Sequence, residues 1–200
     1  MSLSIIIALL LGIFSGYYFI PENIISNSEI LITIALNILI LSVGIDVGSN
    51  KSLIENLKKK GLKLLCIPLC IVAGSVVGGL ITGLFFKVSP NISLAIASGF
   101  GWYSLSGIIL TSLCNVEVGT IAFLTNIFRE LIAVITIPFL ARYLNYYTTI
   151  APAGATSMDT TLPLISESTN SETAFISFVN GLILSSLVPV LVPFFYSIYK

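Results

Sequence analysis

The sequence predicts an all-α integral membrane protein with about five transmembrane helices and two broken, re-entrant helical hairpins. Three observations predict it. Of 200 residues, 56% are hydrophobic and 9% charged, against about 25% charged in a soluble domain, so lipid must cover surface that polar side chains cannot. Apolar runs of the roughly 20 residues that span a bilayer recur along the chain. Between the later runs lie two stretches whose glycine, serine and proline content opposes a continuous helix.

The first run, Ser2 to Ile20, stops at Pro21-Glu22-Asn23. It lacks the basic n-region and A-x-A site of a signal peptide, so it reads as a retained first crossing. Ile30 to Gly48 is the second. The segment from Lys51 to Lys63 carries five of the nine basic residues. Basic loops stay in the cytoplasm, which places the N-terminus inside. Leu64 to Phe86 is the third crossing and ends at Lys87 outside. Its Gly74, Gly78 and Gly79 either let helices approach closely or are ordinary glycines of a membrane helix.

Asn91 to Cys114 is long enough to span, but its middle, SGFGWYSLSG, holds three glycines and three serines. Thr120 to Tyr143 is an apolar crossing that contains Asn126, Arg129 and Glu130. Ala151 to Ile165, APAGATSMDTTLPLI, has two prolines and one Asp and is too short to span. Glu172 to Tyr199 is the last crossing, with Asn180 inside it and Pro189 and Pro193 towards its end.

The pattern from Glu117 to Asn126 resembles that from Glu172 to Asn180, with one residue's slip at the asparagine. Each copy follows a broken segment. The match suggests duplicated units, about 91–145 and 146–199, within one transmembrane transporter domain over 1–200. If each unit is a hairpin plus one crossing, the units are inverted, a recurrent transporter plan. The first hairpin (about 91–115) then dips from outside and the second (about 148–168) from inside. Arg142 falls in the cytoplasm and the C-terminus outside. In the rival topology 91–115 crosses fully and both of those placements reverse.

With no His and zero formal net charge, imidazole-based metal sites, nucleophiles and proton relays are excluded, and nothing points to nucleic acid. Cys66 and Cys70 share a helix face, but no second pair offers zinc-like spacing, and they read as small hydrophobes. No metal or cofactor is expected.

Glu130 lies near the centre of its crossing, where a charge costs about 2.5–3.5 kcal/mol. Asn126, Arg129 and Glu130 stand at i, i+3 and i+4, so one face must look into protein or a watery cavity. An Arg129–Glu130 salt bridge is the structural alternative, although adjacent residues point about 100° apart. Asp159, with Ser157, Thr160 and Thr161, supplies a cluster of oxygens for a cation or ammonium group; otherwise it caps a helix. Asp46, near the cytoplasmic end of the second crossing, is either an interfacial cap or functional. Ser104, Ser106, Thr156 and Ser157 offer hydrogen bonds beside the breaks, and Asn180 is the repeat counterpart of Asn126. Trp102 and Tyr103 form either a cavity wall or an interfacial belt. Free N–H groups at helix starts attract carboxylates and free carbonyls at helix ends attract cations; an amino acid carries both charges.

SGFGWYSLSGI (98–108), NIFRELIA (126–133) and GATSMDTTLP (154–163) together resemble the LysO family of bacterial lysine exporters, in the family's order and along nearly the whole chain. The resemblance implies a multi-pass secondary transporter of the bacterial cytoplasmic membrane, not an enzyme, that exports L-lysine and lysine analogues. Glu130 would be the transport-coupled acid, with a proton or sodium ion as the coupling partner. Family members carry a further N-terminal membrane portion, so a homo-oligomer or a small membrane subunit is expected here. The competing classes are a passive or holin-like pore and an intramembrane aspartyl protease using Asp46 and Asp159. The latter needs two close carboxylates, and the sequence has no GxGD string.

Overall fold

The computed structural model describes residues 61–198 and, ahead of them, only isolated positions, of which Ile7, Phe14, Ile34 and Leu41 are helical. Most of the crossings expected at 2–20 and 30–48, with Asp46 and most of the lysine-rich segment, therefore lies outside the described residues. Among the described residues the chain is helical, with no strand.

A short 3-10 helix, Gly61–Leu65, leads into α1, Cys66–Phe86. α1 stops where Lys87 turns left-handed, with φ 55°, and its N–H returns to the carbonyl of Gly83. Pro90 opens α2, Pro90–Ala97, at a position where a missing N–H costs nothing. Residues 98–102 then interrupt the helix before α3, Tyr103–Leu113. The interruption is enforced by Phe100 (φ 46°) and Gly101 (φ 101°), since neither angle belongs to a right-handed helix.

Three asparagines start the next elements by accepting a backbone N–H through the side chain, the usual N-cap device. Asn115 accepts from Val118 at 2.8 Å and opens α4, Val116–Tyr143. Asn145 accepts from Thr148 at 3.1 Å and opens a 3-10 helix, Tyr146–Thr149. The chain continues through the four-residue α5, Ile150–Ala153, the 3-10 helix Gly154–Met158 and α6, Leu162–Ser168. Asn170 accepts from Thr173 at 2.9 Å at the start of α7, Ser171–Ile198. α4 runs through Pro138, and α7 through Pro189 and Pro193, as membrane helices tolerate.

α1, α4 and α7 are long and apolar enough to cross a membrane. Both stretches expected to resist helix formation are interrupted, at 98–102 and around 154–161. The hydrophobic core gathers around the first interruption. Phe100, Leu110, Ala122, Ala155, Leu184 and Val188 pack there in one cluster.

The neighbours of α1 fix the path of the chain. Cys66 and Cys70, at its start, share a groove with Asn145 and Thr148, just beyond the end of α4. Thr82 and Phe86, near its end, share another with Ile121 and Thr125, near the start of α4. α1 and α4 are thus antiparallel, and α2 begins at the same end of the bundle where α3 finishes. At the opposite end the Tyr147 hydroxyl donates to Glu172 Oε1 at 3.1 Å. The segment between α4 and α7 therefore also starts and finishes at one end. α7 then returns past the first interruption until Tyr196 meets Cys114.

Candidate functional site

The site is built where the two interruptions touch. The Ala155 N–H donates to the Phe100 carbonyl at 2.8 Å. Glycine is required on both sides of this contact. A Cβ on Gly101 would lie 3.3 Å from the Ala153 carbonyl oxygen, and one on Gly154, itself at φ 62°, would collide with that of Phe100.

Each interruption is held by one asparagine from a long helix. Asn126 is 2% exposed. Its Oδ1 accepts from the Gly101 N–H at 2.7 Å, and its Nδ2 donates to Ser106 Oγ at 3.2 Å and to the Ala122 carbonyl at 2.9 Å. Asn180 is 1% exposed. Its Nδ2 donates to the Gly154 carbonyl at 3.2 Å and to Ser157 Oγ at 3.1 Å. Ser157 and Ser177 also exchange hydroxyl-to-carbonyl bonds, each 2.8 Å long. Asn126, Ser106 and Ser157 thus spend their hydrogen bonds on the scaffold, as does the Asn180 amide N–H, whereas Asn180 Oδ1 is buried without a hydrogen-bond partner.

In front of the contact lies a cavity of about 180 Å³. Trp102, Tyr103 and Ser104 line it from the first interruption, and Thr156, Asp159 and Thr160 from the second. Trp102 and Tyr103 are therefore walls of a cavity, and the Tyr103 ring meets Phe123 edge-on at 5.5 Å. Asp159 Oδ1 accepts the Thr160 N–H at 2.6 Å. Glu130, half-buried on α4, interacts with the Thr160 side chain and feels the charge of Asp159; Tyr103 feels both carboxylates. Two acids from different elements thus flank one threonine beside the cavity.

Arg129 takes no part in that cluster. Its Nε donates to the Pro152 carbonyl at 3.2 Å, Nη2 to that of Ala151 at 3.2 Å, and Nη1 to Ser75 Oγ at 2.9 Å. No Arg129–Glu130 ion pair forms among the described residues. The packed stripe of α1 carried a signal for Ser75, since Ile71, Gly79 and Gly83 are buried at four-residue spacing and Ser75 is the polar member of that row. Ser185 and Met158, which complete the cavity lining, had no distinguishing pattern. Among the described residues no group of three or more Cys, Asp or Glu could hold a metal.

What this arrangement offers is a pocket lined by one carboxylate, with a second nearby, hydroxyls and an aromatic wall, at the junction of two broken helices. Residues 6–196 match the family described as lysine exporter LysO. The chain is 40% identical over 162 residues to lysine exporter LysO of Escherichia coli K12, covering 80% of this chain and 53% of that protein. It is 35% identical over 198 residues to a Haemophilus influenzae protein named as a candidate lysine exporter, covering 97% of this chain and 95% of that one. The chain thus spans about half the length of the Escherichia coli relative. No solved structure matches it.

Proposed function

The chain belongs to the lysine exporter LysO family, and on that premise we propose that it is a multi-pass secondary transporter of the bacterial cytoplasmic membrane that exports L-lysine. One observation carries the proposal. Asp159 and Thr160 line a cavity between two helix breaks, and Glu130 lies close to both. Lysine at neutral pH carries two ammonium groups and one carboxylate. A carboxylate beside a helix break is a strong partner for an ammonium, because a charge-assisted hydrogen bond is roughly twice as strong as a neutral one. The carboxylate of the substrate is directed to the start of α3, where Ser104 occupies the first turn and lines the cavity and the positive end of the helix favours an anion. Trp102 and Met158 cover the aliphatic chain.

Transport proceeds by alternating access around this junction. The two broken segments are re-entrant from opposite faces of the membrane, and the units 91–145 and 146–199 are inverted copies. Support comes from the opposed directions of α4 and α7 and from the parallel placement of Asn126 and Asn180. Non-helical backbone survives at membrane depth only when it is buried in protein or lines a cavity, and both breaks meet that condition. Glu130 exchanges a proton or a sodium ion for the substrate, and lysine analogues of the same charge share the path. Assembly with a second copy or a small membrane subunit belongs to the same proposal.

The test is efflux of isotopically labelled lysine from cells without their own lysine exporters, with and without this chain. The proposal predicts saturable efflux that unlabelled lysine competes away. Flux without saturation or selectivity would indicate a passive pore, and the absence of flux would sink the reading.

A further inference from the structure

Two grooves lie beside α1. The first, of about 730 Å³, is lined among others by Cys66, Cys70, Tyr147 and Thr148. The second, of about 510 Å³, is lined by Gly79, Thr82, Thr125 and Asn126. They lie towards opposite ends of α1. Ser75 and Arg129 line both, and the 2.9 Å bond from Arg129 Nη1 to Ser75 Oγ stands between them.

From this geometry we infer that Arg129 is a fixed internal cation that bars protons and other cations from passing between the two grooves. The transported cation is thereby confined to the cavity on the Asp159 side. Three features support this role. The guanidinium occupies the carbonyls of Ala151 and Pro152 in the single turn of α5, which would otherwise offer their oxygens to a free cation. The backbone of the second break passes close to it, since a Cβ on Gly154 would lie 3.1 Å from Arg129 Nη2. And its charge is not cancelled by Glu130, which lies near Thr160 and Asp159 instead. A fixed arginine in a constriction is an effective barrier to protons and cations. Without it, two carbonyl oxygens and the Ser75 hydroxyl would line an opening between the grooves, which is a lining that suits a small cation.

The barrier is tested without lysine, so its failure leaves the lysine reading standing, and the reverse also holds. The full chain is reconstituted in liposomes holding a pH-sensitive dye, and proton entry is driven by a potassium diffusion potential. Arg129→Ala is expected to raise proton entry at least tenfold over wild type, while Arg129→Lys, which keeps a cation there, stays within twofold. An Arg129→Ala protein as tight as wild type, or an Arg129→Lys protein that leaks equally, overturns the inference. A second measurement keeps Arg129 in place and so does not depend on the variant folding. A membrane-impermeant thiol reagent is applied from each side to Cys70 in a chain with Cys66 and Cys114 replaced by serine. It is applied likewise to Thr82→Cys in a chain with Cys66, Cys70 and Cys114 replaced by serine. The barrier predicts labelling of the two positions from opposite sides only; labelling of either position from both sides contradicts it.

Discussion

Arg129 and Glu130 are consecutive residues of α4 that share no partner. The guanidinium bonds Ser75 and the carbonyls of Ala151 and Pro152, whereas the carboxylate faces Thr160 and Asp159. Neighbouring helical residues diverge by about 100°, and here that divergence keeps two opposite charges from neutralising each other. The base is committed to the scaffold, and the acid forms no ion pair with it.

Asp159 is the first place to test that division. Asp159→Asn retains an oxygen for the Thr160 N–H, so the turn that follows the second break is preserved. The charge is lost. A hydrogen bond to a charged group is worth about 1.5–3 kcal/mol, and about 1.4 kcal/mol is tenfold in affinity. The KM for lysine efflux should therefore rise roughly 10- to 100-fold, with the melting temperature in detergent unchanged. An unchanged KM would remove Asp159 from the site.

Asn126 predicts the reverse pattern. Asn126→Ala leaves the Gly101 N–H buried without the acceptor it has at 2.7 Å. An orphaned buried donor costs about 1–3 kcal/mol. Thermal unfolding in detergent should shift downward, and transport should fall in proportion to the folded fraction. A variant with wild-type stability but abolished transport would mean that Asn126 contacts the substrate directly.

Gly154 and Gly78 form a matched pair. Gly154→Ala places a methyl group against the Phe100 carbonyl at a φ of 62°, whereas a Cβ on Gly78 meets nothing within 4 Å. Backbone held in such a region costs about 1–3 kcal/mol, before the collision is counted. Gly154→Ala should lower the melting temperature and impair transport, and Gly78→Ala should do neither. Equal effects from both would show that the contact between the breaks is not what makes glycine necessary.

Much of this architecture was legible in residue spacing. The three apolar runs, the two interruptions and the asparagine in each later crossing all depend on local composition, and local composition dictates where a helix can persist. The side-chain assignments were less legible. Ser157 and Ser106 resembled ligands because hydroxyls beside a break can face either way, and both turn inward, to Asn180 and Asn126 respectively. The Arg129–Ser75 bond joins residues 54 positions apart, and no local pattern encodes so distant a partner. Trp102 was ambiguous between belt and cavity until the second broken segment was brought against it, which is a tertiary event.

The most direct test of the central claim is lysine efflux from proteoliposomes carrying Glu130→Gln beside wild type, measured across a range of pH. The substitution keeps the size and hydrogen bonding of the side chain and removes its capacity for negative charge. The account predicts a protein that inserts and unfolds thermally like wild type yet exports lysine at less than about a hundredth of its rate, a deficit of roughly 2.7 kcal/mol, with Glu130→Asp intermediate. Export by Glu130→Gln at the wild-type rate at every pH would show that Glu130 is structural and would contradict the mechanism.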